Sequence, residues 1–160
     1  MALEATDIIE ALLYGVALSA DAFAVSVCKG LAVGAVKPRH IAATGTWFGG
    51  FQAAMPILGF YLGFAAKDYI INYDHWAAFI LLSVIGINMI RESTEKSCPT
   101  DADASFAFKK MFVLAIATSI DALAVGIAFA MSGGENIWLT SIIIGITTFI
   151  LSGIGLRLGS

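Results

Sequence analysis

Two aspartates lie inside strongly apolar segments, at matching places of an internal repeat. Asp21 falls within ALSADAFAVSVCKG (17–30) and Asp121 within ATSIDALAVGIAFA (117–130), and six positions are identical at an offset of 100 residues. An ionised carboxylate at the centre of a membrane costs about 2.5–3.5 kcal/mol on insertion scales, so such residues mark functional sites by default. A purely structural role is less favoured because the motif occurs twice. The pair is therefore predicted to bind a cation.

Four other polar residues carry oxygen atoms that suit the same site. Two serines precede the aspartates by two residues, and two amides lie in other apolar segments, one of them four residues before Pro56. A serine hydroxyl can instead bond the carbonyl one turn back, and an amide can instead bond between helices. The predicted metal ligands are Asp21, Asp121, Gln52, Ser19, Ser119 and Asn88.

The donor atoms predict a hard cation. Carboxylate, hydroxyl and amide oxygens suit Mg²⁺, Ca²⁺ and Mn²⁺, whereas zinc and copper favour thiolate and imidazole. His40 and His75 are expected at opposite membrane surfaces. Cys28 is expected in an apolar helix and Cys98 in a polar loop, so no disulfide is predicted between them.

Composition predicts an integral membrane protein. The 160 residues are 59% hydrophobic and 13% charged, against about 25% charged in soluble domains. Five apolar segments approach the roughly 20 residues that a spanning helix needs. The predicted spans are 8–28, 41–64, 75–91, 111–131 and 137–158. The N-terminus lacks the basic region of a signal peptide, so the first span is expected to remain in the mature protein.

The repeat predicts two inverted groups of three helices. The first and fourth spans match at an offset of 100, and glycines of the second and fifth match at 96, where Thr148 also aligns with Gln52. The third span has no counterpart, so we expect the sixth helix to be absent from this chain. The fold class is thus an all-α, polytopic membrane helix bundle. Its predicted divisions are a first repeat (1–91), a cytoplasmic loop (92–110) and an incomplete second repeat (111–160).

The basic residues predict the orientation, since Lys and Arg concentrate on the cytoplasmic side. In a five-span arrangement only Lys67 falls on the side of the N-terminus, which is therefore expected outside. An odd number of spans per repeat inverts the second half, and transporters built this way bind substrate near the midplane. The basic residues on the side opposite the N-terminus, which is expected to be cytoplasmic, are Lys29, Lys37, Arg39, Arg91, Lys96, Lys109, Lys110 and Arg157.

The motifs DAFAVSVCKG, FGGFQAAMP and ATSIDALAVGIAFA resemble those of the bacterial manganese efflux pump family of the MntP type, over essentially the whole chain. The resemblance implies a six-helix inner-membrane exporter of Mn²⁺, related to exporters of the lysine-exporter type. It also implies that Asp21 and Asp121 are the key acidic residues, and that Gln52 occupies a position that is polar or acidic among relatives. The missing sixth helix is a departure from the family.

The leading hypothesis is therefore a Mn²⁺ exporter rather than an enzyme, without a cofactor, and with the metal ion and the lipid bilayer as partners. The sequence contains no nucleotide-binding P-loop, so an ion gradient is expected to drive transport. A homo-oligomer is compatible with the sequence, and the net charge of −3 does not suggest nucleic acid. Two alternatives remain: export of a small organic cation such as a basic amino acid, and a non-transporting membrane scaffold. An intramembrane aspartyl protease is disfavoured because both aspartates are followed by Ala rather than Gly.

Overall fold

A computed structural model of the chain describes residues 5–70, 104–133 and 136–160, together with single positions between 76 and 98. The continuous parts form six helices. In chain order these helices are α1 (Ala5–Leu18), α2 (Ala20–Val33), α3 (Pro38–Ile70), α4 (Phe108–Ala117), α5 (Ile120–Ser132) and α6 (Ile137–Leu158).

Two of these helices are long and apolar enough to cross a bilayer alone. They are the 31 residues Pro38–Asp68 of α3 and the 22 residues Ile137–Leu158 of α6, and about 20 residues at 1.5 Å each span the hydrocarbon core. Large apolar side chains cover the outside of the bundle: Leu13 is 66% exposed and Phe64 is 64% exposed. This apolar exterior fits lipid and confirms the predicted membrane helix bundle.

The first and fourth predicted spans are each divided into two helices. The axes of α1 and α2 meet at 43° and those of α4 and α5 at 45°, and each bent pair can form one span. At the first break the Ser19 hydroxyl donates to the Gly15 carbonyl at 2.5 Å. At the second the Thr118 hydroxyl donates to the Leu114 carbonyl at 3.0 Å. Such bonds compete with the helical pattern and bend helices.

The third predicted span, 75–91, lies mostly outside the described residues. Scattered positions between 76 and 91 are described and are helical. Among them, Trp76 and Phe79 are exposed. Asn88, one of the predicted ligands, lies outside the described residues.

Glycines allow the helices to pack with their backbones in contact. A Cβ atom on Gly49 of α3 would lie 2.7 Å from the Gly145 carbonyl oxygen of α6, and one on Gly145 would lie 3.0 Å from the Gly49 oxygen. Likewise α5 lies against α3, where a Cβ atom on Gly126 would overlap the Pro56 carbonyl. Small residues make such close approach possible between membrane helices.

The prediction that the two cysteines remain apart is wrong. Cys28 and Cys98 form a disulfide with their Cα atoms 5.6 Å apart, within the range that the bond requires. The cause is the return of the polar loop to the end of α2. There the fully buried Lys29 donates to the Ser105 carbonyl at 2.7 Å and lies 4.8 Å from the centre of the Phe106 ring.

The close packing at Gly126 generates a stability prediction. We expect Gly126→Ala to lower the free energy of unfolding by about 1–3 kcal/mol, the usual cost of overpacking, because the new methyl group meets the rigid Pro56 carbonyl. Gly50→Ala is the matched control, since a Cβ atom on Gly50 meets nothing within 4 Å. Unfolding both variants with SDS in mixed micelles, followed by circular dichroism, measures the difference. Equal stabilities would contradict this packing.

Candidate metal site

The two aspartates occupy the same place in the two broken spans. Asp21 is the second residue of α2 and Asp121 the second residue of α5, each immediately after a break. The first turn of a helix carries unpaired N–H groups and a partial positive charge, which stabilise a carboxylate. Asp121 uses one of them, accepting a hydrogen bond from the Ala122 N–H at 2.9 Å. The breaks thus provide a polar environment for acidic groups in apolar segments.

The two serines that precede the aspartates differ in their bonding. Ser19 is fully buried, and its hydroxyl donates to the Gly15 carbonyl at 2.5 Å and also lies 3.2 Å from the Val16 carbonyl. Ser119 is equally buried, but its hydroxyl has no hydrogen-bond partner among the described residues. Ser19 therefore adopts the structural alternative left open by the sequence, while the Ser119 oxygen remains available to a ligand.

Gln52 connects α3 to the first break. Its side chain is fully buried, and its amide nitrogen donates to the Leu18 carbonyl, at the end of α1, at 2.9 Å. Carbonyls in the last turn of a helix lack partners within the helix. The amide oxygen of Gln52 has no hydrogen-bond partner in the described part of the chain. One amide thus makes the interhelical bond and still presents an oxygen for an ion.

The core brings each break close to the half of the chain that carries the other aspartate. Leu18, at the first break, shares a buried cluster with Ala122, which follows Asp121, and with Ile144. Ala22, which follows Asp21, shares another cluster with Phe48 and with Leu114 near the second break. The two breaks are therefore connected through the side chains of α3 and α6.

Several buried hydroxyls were not predicted as site residues. Each is fully buried, and its hydroxyl lacks a hydrogen-bond partner among the residues that the structure describes. Helical spacing is the signal that could have revealed them, because the three on α6 are seven and four residues apart and the one on α3 lies eight residues before Gln52, which keeps each group near one helical face. The sequence alignment of Thr148 with Gln52 pointed to one of them. They are Thr44 on α3 and Ser141, Thr148 and Ser152 on α6.

The structure also supplies two helix N-termini within spans, a feature expected of a site for amino-acid carboxylates. They belong to α2 and α5, which begin at Ala20 and Ile120. The first turn of each already contains an aspartate, so an incoming carboxylate would meet like charge.

The described residues contain no group of three or more His, Cys, Asp or Glu side chains suited to a metal. A cation here would be held by carboxylates and neutral oxygens.

The chain resembles one family over most of its length. Residues 35–160 match the family model described as "Putative manganese efflux pump". A protein of Acetivibrio thermocellus called "Putative manganese efflux pump MntP" is 52% identical over 152 residues, covering 95% of this chain and 76% of the relative. Proteins of the same name from Desulfitobacterium hafniense and Bifidobacterium adolescentis are 48% and 45% identical, each over 95% of this chain and over 79% and 81% of their own lengths. No solved structure matches the chain significantly.

The bond between Gln52 and Leu18 can be tested separately from the free amide oxygen. Gln52→Met and Gln52→Glu both remove the donor, so we expect both to lower the free energy of unfolding by about 0.6–1.7 kcal/mol, the range for interhelical bonds in membranes. Divalent-cation affinity should fall only in Gln52→Met, because glutamate retains an oxygen and adds charge. SDS unfolding and calorimetric titration measure the two effects. Unchanged cation affinity in Gln52→Met would exclude the amide oxygen as a ligand.

Proposed function

This chain belongs to the manganese efflux pump family, and we propose that it exports Mn²⁺ from the cytoplasm through a site built on Asp21 and Asp121. The observation that carries the proposal is the pair of helix breaks at equivalent positions, each followed in its first turn by an aspartate. Broken helices are a recurrent means by which transporters bind substrate inside a membrane. Two carboxylates there match the charge of a divalent cation.

We further propose that the two halves are inverted repeats. Matched contacts support this: a Cβ atom on Gly155 of α6 would lie 2.8 Å from the Phe23 carbonyl of α2, and one on Gly59 of α3 would overlap the Leu123 carbonyl of α5. Phe23 and Leu123 align at the offset of 100, and Gly59 and Gly155 at 96. The mutual contact of Gly49 and Gly145 is the one expected where α3 and α6 cross on a two-fold axis.

The proposed site combines charged and neutral oxygens at the level of the breaks. Asp21 and Asp121 would provide charge, and the amide oxygen of Gln52 and the hydroxyl of Ser119 would provide neutral ligands, since neither has a hydrogen-bond partner among the described residues. Ser19 and Asn88 complete the set predicted from the sequence. Such a set suits Mn²⁺ better than zinc or copper. The protein oxygens would replace water that the ion loses on entering the bilayer.

The proposed arrangement in the cell is that of a multi-pass protein of the bacterial inner membrane with its N-terminus outside. The positive-inside rule supports this orientation, since Lys29, Lys37 and Arg39 lie at the end opposite the start of α1. The loop that returns to Lys29 is then cytoplasmic, and the Cys28–Cys98 disulfide opposes this orientation because the cytosol keeps thiols reduced. The site would be loaded from the basic end and emptied at the end where α5 finishes and α6 begins.

Export of a basic amino acid is the second candidate. The N-termini of α2 and α5 favour it, because a helix N-terminus attracts a carboxylate. The aspartate in each first turn opposes it, as described above. Substrate competition separates the two candidates: excess lysine or arginine should leave Mn²⁺ transport unchanged if Mn²⁺ is the cargo.

Replacing either aspartate tests the proposal directly. In cells that lack their own Mn²⁺ exporter, the chain should restore growth in high Mn²⁺ and lower the cellular Mn²⁺ measured by mass spectrometry. Asp21→Asn and Asp121→Asn should each abolish both effects. Mutating a residue that only supports a metal ligand typically lowers metal affinity by about 10–100-fold, and removing a direct ligand should lower it at least as much.

Asp68→Asn is the matched control for this experiment. Asp68 lies exposed near the end of α3, so this variant removes the same charge without touching the breaks and should retain full export. Membrane levels of all variants are compared by immunoblot. Normal Mn²⁺ export by either break variant would contradict the proposed site, and equal loss in all three variants would mean that total charge matters rather than position.

The proposed driving force is a proton gradient, with the two carboxylates holding protons and metal in turn. Inside-out membrane vesicles that are acidified internally should then accumulate Mn²⁺ as protons leave. Dissipating the pH gradient with nigericin in potassium buffer should reduce the initial uptake rate to that of vesicles without the protein. Uptake that is insensitive to nigericin would rule out proton exchange.

A further inference from the structure

A cavity of about 270 Å³ opens at the end of the bundle where α1 and α6 begin. Its polar lining consists of two carboxylates, a phenol, an amide and a hydroxyl: Asp7, Glu10, Tyr14, Asn136 and Thr140. Asp7 and Glu10 are three residues apart on α1 and therefore project from the same side of the helix. All of these polar side chains can present oxygen, the ligand atom that hard divalent cations require.

Thr140 provides a second, independent indication of a ligand. Thr140 lines the cavity, and the residue as a whole is 8% exposed. The Thr140 N–H bonds to the Asn136 carbonyl at 3.0 Å, but the hydroxyl makes no hydrogen bond within the described ranges of the chain. A hydroxyl without a protein partner on the wall of a cavity is satisfied there by water or by a ligand.

The described residues at the equivalent positions of the other repeat differ from most of those that line the cavity. At the offset of 100, Glu10 aligns with Lys110 and Tyr14 with Leu114, and at 96 Thr140 aligns with Thr44. Leu114 and Thr44 are both buried, and the fully buried Lys29, which aligns with Phe129 of the cavity, contacts the returning loop. At the equivalent positions that the structure describes, the acidic lining of the cavity is not repeated, so it does not follow from the repeat alone.

We propose that this cavity binds a divalent cation of the Mn²⁺ class as a second, weak site, separate from the one at the breaks. Its volume has room for an ion with several water molecules, at about 30 Å³ for each water. Two carboxylates on an open, hydrated site predict a dissociation constant in the range of about 10⁻⁴–10⁻³ M, as in weak extracellular cation sites. A role for the cavity as the last binding site before release rests on the proposed function. Cation binding in the cavity does not depend on that function.

Titration with Mn²⁺ alone, followed by the electron paramagnetic resonance signal of free Mn²⁺, tests this proposal on the purified chain in nanodiscs. The wild type should show a tight class and a weak class of sites. The double variant Asp7→Asn/Glu10→Gln should lose the weak class and keep the tight one. Asp68→Asn should keep both. Persistence of the weak class in the double variant would overturn the proposal.

Thr140→Val distinguishes a specific binding site from general attraction of cations to acidic residues, because the substitution changes no charge. We expect about 3- to 10-fold weaker binding in the weak class, with the circular dichroism spectrum unchanged. No change in weak binding would mean a diffuse ion atmosphere and would overturn the site. Asp21→Asn and Asp121→Asn should abolish only the tight class. If the tight class of sites persists in these two variants, the proposed transport site is wrong. The result for weak binding in the cavity is independent of that outcome.

Discussion

Backbone hydrogen bonding inside the bilayer is the constraint on which this architecture depends. A broken helix leaves carbonyl and N–H groups without helical partners, and in hydrocarbon each unsatisfied group costs several kcal/mol. Here Gln52 satisfies the Leu18 carbonyl and Asp121 satisfies the Ala122 N–H. The groups that stabilise the breaks thus also introduce free oxygen atoms and negative charge beside them. In the proposed site, the stability of the breaks and the affinity for a cation would depend on the same few side chains.

The close contacts between glycines limit which parts of the bundle can move. Gly49 and Gly145 bring α3 and α6 into backbone contact, and Gly126 seats α5 against Pro56 of α3. Packed interfaces of this kind resist gradual deformation. In transporters with inverted repeats, alternating access usually occurs by rocking of one repeat or bundle against the other. If this chain moves in that way, the breaks at Ser19 and Ser119 are the expected hinges, because the helical hydrogen bonding is interrupted there and is continuous in α3 and α6.

The membrane class and the long helices could be predicted from the sequence because they follow from the length of the apolar runs. The equivalence of Asp21 and Asp121 could be predicted because the motif around them aligns. The sequence did not predict the breaks. No proline or glycine marks Ser19 or Ser119, and hydropathy remains high across a bend that side-chain bonding to carbonyls produces. The disulfide was also missed, since its formation depends on the docking of Ser105 onto Lys29, a contact over 76 residues. Long-range docking of a polar loop leaves no periodic signal.

The acidic cavity at one end of the bundle affects the free energy of a cation there, but it does not by itself determine the direction of transport. Fixed charges such as Asp7 and Glu10 lower the free energy of a cation near one mouth, yet they act equally on ions that arrive and leave. With the cytoplasm negative, moving one positive charge outward costs about 2.3 kcal/mol per 100 mV, so a divalent ion must overcome roughly twice that. The proposed export would therefore be driven by a coupled ion that moves inward, and the carboxylates at the breaks are the groups whose protonation would exchange with metal binding. Under this mechanism the cavity affects the rate of release, and the breaks determine the coupling.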